Sequence, residues 1–216
     1  MSETDEATGG TRERIQAVAL ELFAEQGYDK TSLREISQRL GVTKAALYYH
    51  FKSKEDIVAS LVEDYFGQID ALIEWAHAQP RTADLPGEIL SRYYAIVGDA
   101  TEVFHMLHQN QAAVSSLAHA KNRSELFRAR MHSIVEVLTG PDASLETQLR
   151  GAVALASVSF GCMFYADQAE PAELREVVLR IAGELAGAGQ SPRGRWAAPD
   201  PAATGAAAMS YLKDSV

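Results

Sequence analysis

Between residues 31 and 55 the chain writes three helix starts in close succession, and few folds accommodate that. Ser32 with Glu35 three positions later is a capping box, in which each side chain satisfies a backbone N–H at a new helix end. That helix carries Leu33, Ile36 and Leu40 on one face and stops at Gly41, where a residue without Cβ turns the chain cheaply. Only Gly41 and Val42 precede Thr43, a good N-cap for a second helix over 44–50. Ser53 then caps a third, with Glu55 and Asp56 near its positive terminus. Two short helices joined by a tight Gly-containing turn make a helix-turn-helix, whose second helix usually lies in a DNA major groove.

The 44–50 helix has the surface such a role needs. Ala45 and Ala46 are small enough for close approach to base edges. Thr43, Lys44, Tyr48, Tyr49 and His50 bring donors and aromatic rings, while Leu47 and Phe51 point inward at i, i+4 spacing. The competing interpretation is a surface helical hairpin with ordinary polar decoration.

Three runs together reach beyond generic hairpins: Leu-Phe-Ala-Glu-Gln-Gly-Tyr at 22–28, Gly-Val-Thr-Lys-Ala-Ala at 41–46, and Leu-Tyr-Tyr-His-Phe-Lys-Ser-Lys-Glu at 47–55. With them, residues 11 to 60 resemble, without a gap, the DNA-binding domain of the TetR family of transcriptional regulators. Beyond residue 60 the resemblance is architectural only. Chemistry and resemblance together assign Lys44 to guanine O6/N7 and Thr43 to a base edge or phosphate. Ala45 and Ala46 are assigned to close contacts such as a thymine methyl. Tyr48, His50 and Lys54 resemble phosphate-clamping positions, Ser32 and Arg34 grip the flanking backbone, and Tyr49 suits either job.

Composition sets the frame for the rest. The 216 residues are 47% hydrophobic and 23% charged, suited to one or two globular domains. Apolar spacings of three and four recur without sustained alternation, so an all-α chain of about nine helices follows. A net charge of −9 argues against a nucleic-acid partner until it is divided. Residues 12–54 hold eight Lys/Arg against five Asp/Glu, and everything else holds twelve against twenty-four. A mildly basic module rides on an acidic body, and the local field governs where phosphate is tolerated. The single Cys162 allows no internal disulfide and suits a reducing cytoplasm. The acidic N-terminus lacks an apolar signal segment. The longest uncharged apolar run, Gly151 to Ala166, is too short and polar for a membrane span.

In order, residues 1–10 read as a disordered leader and 11–55 as the helix-turn-helix domain, opened by a helix over 12–26. Its Ile15, Val18, Ala19, Leu22 and Phe23 form one stripe, expected to pack on Leu33, Ile36, Leu40, Leu47 and Phe51. Residues 56–187 read as a ligand-binding and dimerisation domain. The helix over 54–78 enters it as the longest element and the expected transmission rod. Further helices are expected over 86–98 (capped by Asp84), 101–109, 110–120, 122–138, 144–167 and 171–186. Residues 188–216, rich in Ala, Gly, Pro and Ser, read as a flexible tail. The last two helices carry apolar area to spare, which suggests a symmetric four-helix interface with a second copy. The family resemblance implies the same homodimer, through Leu145, Leu149, Val153, Ala156, Phe160, Leu174, Val178, Ile181 and Leu185.

A ligand cavity is expected among Trp75, Tyr93, Tyr94, Phe104, His105, Met106, His108, Phe127, Met131, Phe160, Met163 and Phe164. Aromatic and Met side chains with a few polar groups suit an adaptable apolar pocket, although any one of them serves equally as ordinary core. His105 and His108 stand at i, i+3 without accompanying ligands, so no metal or cofactor is expected. No nucleophile–base arrangement or phosphate-binding Gly loop occurs, and Cys162 lacks the basic neighbours of a reactive thiol. The expectation is therefore a cytoplasmic regulator, not an enzyme. It binds a palindromic double-stranded DNA operator as a homodimer, most simply as a repressor, and the resemblance implies release by a small apolar or aromatic effector. An activator or constitutive binder with a solid second domain is the first alternative, and an all-α enzyme or carrier the second.

Overall fold

The structure, a computed structural model, describes residues 3–109 and 123–187, with side chains from Gly10 to Leu107 and from Phe127 to Gly187. Among the described residues there are nine helices and no strand. They are α1 (Glu3–Gln26), α2 (Leu33–Leu40), α3 (Lys44–His50), α4 (Lys54–Ala78), α5 (Leu85–Asp99), α6 (Thr101–Gln109), α7 (Arg123–Thr139), α8 (Leu145–Tyr165) and α9 (Pro171–Ala186). The helix expected over 110–120 and the tail over 188–216 lie outside the described residues. The leader expected over 1–10 is instead helical from Glu3. Once a helix is nucleated, each added residue brings a hydrogen bond at little further cost, so α1 runs back across Gly9 and Gly10.

The caps follow the sequence closely. Ser32 and Glu35 form the full capping box on α2, and Ser53 with Asp56 forms another on α4. Thr43 accepts from Ala46 N–H at 3.1 Å and opens α3. Gly41 closes α2 at φ 72°, a left-handed conformation in which a Cβ is strained. Asp84 departs from expectation: it occupies the N-cap of α5 in an αR conformation and its side chain makes no capping bond. An N-cap side chain reaches the N2 or N3 amide from extended backbone, which Asp84 does not adopt.

Two hydrophobic cores result. The first joins Ile15, Ala19, Leu22 and Phe23 of α1 to Leu33, Ile36, Leu47 and Phe51, as the stripe predicts, and adds Tyr28, Ile57, Val58 and Met106. Each fully buried Ile or Leu here stabilises by about 1.5–3 kcal/mol over exposure, which fixes the short α3 despite its meagre intrinsic stability. The second core gathers α4, α5, α7, α8 and α9 around Ile69, Leu72, Ile89, Leu90, Ile134 and Val158.

At 1.5 Å per residue the 25-residue α4 is about 37 Å long. Its Ile57 and Val58 sit in the first core, and its Tyr65, Ile69, Leu72 and Ala76 in the second. A buried amide pins its start: Gln16 Nε2 donates to Ser60 Oγ at 2.8 Å and to Asp64 Oδ2 at 2.6 Å. The short α6 is a second bridge, since Met106 belongs to the first core while Phe104 packs on the second.

Candidate nucleic-acid interface and cavity

On the outer side of the first core, α3 presents a polar, aromatic face. Thr43, Lys44, Ala45, Ala46, Tyr48 and Tyr49 are exposed, and His50 is half-buried. Tyr49, 76% exposed, meets the His50 ring edge-on at 5.2 Å, and Lys44 Nζ lies 5.4 Å from the Tyr48 ring centre. Leu47 is fully buried and Phe51 nearly so, which sets the rotation of α3 and turns Lys44, Tyr48 and Tyr49 outward. Ser32 and Arg34 stand exposed at the start of α2. Ser32 Oγ donates to Glu35 Oε2 at 2.7 Å, as does its backbone N–H at 2.8 Å. Those bonds hold the Glu35 carboxyl below the usual carboxylate range.

Lys54 is less free than its position in the sequence suggests. Its ammonium donates to the Tyr28 carbonyl at 2.6 Å and lies 4.3 Å from the Tyr28 ring centre. The Tyr28 hydroxyl in turn donates to Glu55 Oε1 at 2.9 Å. Burial, and then the Glu55 carboxylate, push the Tyr28 hydroxyl pKa up. Sequence reasoning passed over Lys52, exposed just past α3, whose ammonium donates to the Tyr48 carbonyl at 2.5 Å. A lysine next to a helix C-terminus is the signal that locates it.

Beside the second core, α4 to α8 line a cavity of about 580 Å³ that is partly open to solvent. Of the side chains expected there, Tyr93, Phe104, Phe127, Met131, Phe160, Met163 and Phe164 line it. Trp75 does not; it stacks under the Arg92 guanidinium at 3.9 Å. Tyr94 lies against the second core instead, Met106 is claimed by the first core, and the His108 side chain lies outside the described residues. His105 is also off the wall, because its Nε2 pairs with the Met163 carbonyl at 2.8 Å. Tyr65, Phe66, Thr101 and Ser159 line the cavity unforeseen, Tyr65 and Phe66 because helical spacing marks them equally as core. Tyr93 Oη and Ser159 Oγ lie 2.9 Å apart. The ring of Tyr65 meets Phe104 edge-on at 4.9 Å, tying α4 to α6 at the wall.

Outside, α8 and α9 leave an apolar face. Leu145, Leu149, Val153 and Phe160 are well exposed, Ala156 lies among them, and Val177 and Ile181 continue the face on α9. A groove of about 680 Å³ runs between the two helices. Leu174 and Val178, expected on this face, line the groove but are largely buried in the second core, and Leu185 packs partly against that core. The cause is local: Gly161 gives Val178 room against α8, so α9 spends that stripe internally. Cys162 is buried among these residues, and burial pushes its thiol pKa up.

Comparison with known proteins adds the family. Residues 15–61 match the model of the bacterial regulatory proteins of the tetR family. The HTH-type transcriptional regulator AcrR of Shigella flexneri is 49% identical over 53 residues, 24% of this chain and 25% of that one. The HTH-type transcriptional repressor KstR2 of Mycolicibacterium smegmatis is 27% identical over 117 residues, 51% of this chain and 54% of that one. The chain thus spans a quarter to about half the length of these relatives. A crystal structure of a transcriptional regulator from Aquifex aeolicus VF5 shares the fold at TM-score 0.62 and 24% identity, over 79% of this chain and 96% of that one. With its α1–α3 region capped, packed and matched in this way, the chain carries over residues 15–61 the domain of the tetR family of bacterial regulatory proteins.

Proposed function

We propose that this protein is a ligand-responsive transcriptional regulator, most simply a repressor, that binds a palindromic operator as a homodimer. An apolar or aromatic small molecule entering the cavity releases it from DNA. The observation that carries this reading is one continuous path: an exposed α3 on a rigid core, and α4 and α6 running from that core to the cavity wall. Under this reading Lys44, Thr43, Ala45 and Ala46 meet base edges. Ser32, Arg34, Tyr48, His50 and Lys54 hold phosphates, and Tyr49 serves either. The exposed face of Leu145, Leu149, Val153, Ala156, Phe160, Val177 and Ile181 is then covered by its twofold copy, which spaces two α3 helices for successive grooves.

Release is a population shift, so the effector must prefer a conformer in which the two α3 helices no longer match their half-sites. A solid second domain that only dimerises is disfavoured by a cavity of about 580 Å³. The named relatives are transcriptional regulators, which supports regulation rather than catalysis. Among the described residues no helix is long and apolar enough to cross a membrane, and a cytoplasmic site of action fits that. The test is selection of bound duplexes from a random pool, followed by gel shift of the winners. Recovery of an inverted repeat retained by two subunits is expected; no retarded band at low salt would overturn the reading.

A further inference from the structure

Among the described residues four polar side chains are buried: Gln16, Thr31, Ser37 and Ser60. Thr31 and Ser37 bond to backbone carbonyls close by in the first core, those of Leu22, Gly27 and Arg34. Gln16 and Ser60 instead meet each other across the seam between α1 and α4, 44 positions apart. The Gln16 amide, 6% exposed, reaches two successive turns of α4, Ser60 Oγ at 2.8 Å and Asp64 Oδ2 at 2.6 Å. A carboxylate only accepts, so the amide nitrogen must face both partners, and no hydrogen position is needed to orient it. Ser60 Oγ donates in turn to the Ile57 carbonyl at 2.7 Å, within α4.

Around this bond Ile15 and Ala19 of α1 share the first core with Ile57 and Val58 of α4 and Met106 of α6. Apolar contacts tolerate a small slide or roll, because they have no direction. A buried amide does not: displaced by one turn, it keeps its desolvation and loses both acceptors. Another link lies in the first turn of α4, where the Tyr28 hydroxyl donates to Glu55 and Lys54 to the Tyr28 carbonyl. Held only there, α4 can swing about its start; held again at Asp64, it has one direction. Asp64 lies about 14 Å along the helix from Glu55, and Ala78 about 35 Å. A swing of about 1 Å at Asp64 thus becomes about 2.5 Å at the far end of α4.

We propose that Gln16 is a positioning residue for DNA recognition: bonded to Ser60 and Asp64, it sets the angle between α3 and the α4 rod, and with it the half-site spacing that a pair of chains fits. This role presupposes the operator-binding pair proposed above. Gln16 is buried and acts through α1, whose Ile15, Ala19, Leu22 and Phe23 carry α2 and α3 as one packed unit. Both copies of a twofold pair tilt together, so a shift of about 1.7 Å at each α3 adds up to the step of one base pair, about 3.4 Å.

The test uses the full chain, duplexes carrying two selected half-sites at a series of spacings, and a duplex with one half-site alone. The parent is expected to prefer one spacing. Gln16→Met keeps the side chain's length and removes its amide. It should bind about tenfold more weakly at that spacing, admit the neighbouring spacings, and stay within about twofold on the single half-site. Mere loss of folded protein would weaken every duplex alike. Asp64→Ala, at an exposed position, removes one arm only and should broaden the preference by less. Gln16→Glu sets two carboxylates together, and adding Asp64→Asn again faces a donor with an acceptor. The double variant should therefore regain the parent's preference.

Spin labels at Ala24→Cys on α1 and Ala71→Cys on α4, both exposed, with the buried Cys162 changed to Ala, read the same seam without DNA. Their distance distribution should be narrow in the parent and broader or shifted in Gln16→Met. An unchanged distribution, or the parent's spacing preference kept by both Gln16→Met and Asp64→Ala, would overturn the proposal. The two readings fail differently. A parent that holds paired half-sites no better than a single one sinks the operator reading, whereas a parent with a preferred spacing that the variants share sinks this inference alone.

Discussion

Lys44 and Arg34 are both exposed cations of the first domain, yet they are placed to do different work. Lys44 opens α3, where the proposed reading puts its side chain at a base edge, so Lys44→Ala is expected to cost about 1–3 kcal/mol per half-site on the preferred operator and little on random DNA. Arg34 opens α2 beside the backbone, so Arg34→Ala should weaken all sequences alike and reduce the salt slope by about 0.9 per subunit, about 1.8 for the proposed pair. Fluorescence anisotropy across a salt series measures both; identical losses for the two variants would contradict the division. Lys54 is the poorer probe, because removing it also removes its bond to the Tyr28 carbonyl. Glu35 makes a separate prediction about acid. Its folded pKa is lowered from 4.5 by the Ser32 hydroxyl and then the Ser32 amide. A depressed carboxylate contributes stability that is fully present above its unfolded pKa and lost as pH falls through the folded one. Melting followed from about pH 7 to about pH 3 should show that loss beginning near pH 4.5. Glu35→Gln should be less stable at neutral pH and lose less on acidification. A parallel decline in both chains would remove the capping box as the cause.

At the scale of helices, the packing of α8 on α9 turns on Gly161. A Cβ there would lie 2.5 Å from Val178 Cγ2, and the branched Val178 has no other comfortable rotamer in a helix. Gly161→Ala gains about 1 kcal/mol of helix propensity but forces an overpacked contact costing about 1–3 kcal/mol. Net destabilisation is expected in urea melts, and Val178→Ala in the same chain should recover part of it. A stabilised Gly161→Ala would mean that α9 slides freely on α8. The same pair marks where the sequence stops being legible. Capping boxes and Gly41 are local, so Ser32, Thr43, Ser53 and the rotation of α3 could be taken from the chain directly. Leu174 and Val178 could not be told from Val177 and Ile181, because α9 carries two adjacent apolar stripes and spacing alone does not say which one its own core consumes. The cavity shows the same limit. Aromatic candidates were identified by type, but Thr101 and Ser159 became wall residues only through helix packing. The bridging part of α6 was hidden because its turns serve two cores at once.

Over the whole molecule, the groove between α8 and α9 and the ligand cavity share Ala156 and Phe160 as a common wall. Under the proposed function, a second subunit on the outer face would back the same Phe160 ring that an effector would meet from within. Linkage makes the effect reciprocal: a ligand that moves Phe160 outward weakens assembly by the factor by which assembly weakens the ligand. Ile181 stands on the exposed face but not on the cavity wall, so it separates the two roles. Ile181→Glu places a charge in an apolar contact and repeats it across the twofold axis, at a cost of several kcal/mol. Sedimentation at micromolar concentration should then find single chains for the variant and the proposed pairs for the parent, with melting of the N-terminal helices little changed. Operator affinity should fall steeply, since each monomer holds one half-site alone, while affinity for random DNA falls much less. Affinity for an effector identified by a thermal-shift screen should differ between the separated chains and the parent and, in the parent, should vary with protein concentration across the dissociation range of the proposed pair. A variant that still sediments as a pair would move the interface elsewhere. One that separates with ligand affinity unchanged would leave the shared wall without a role in release.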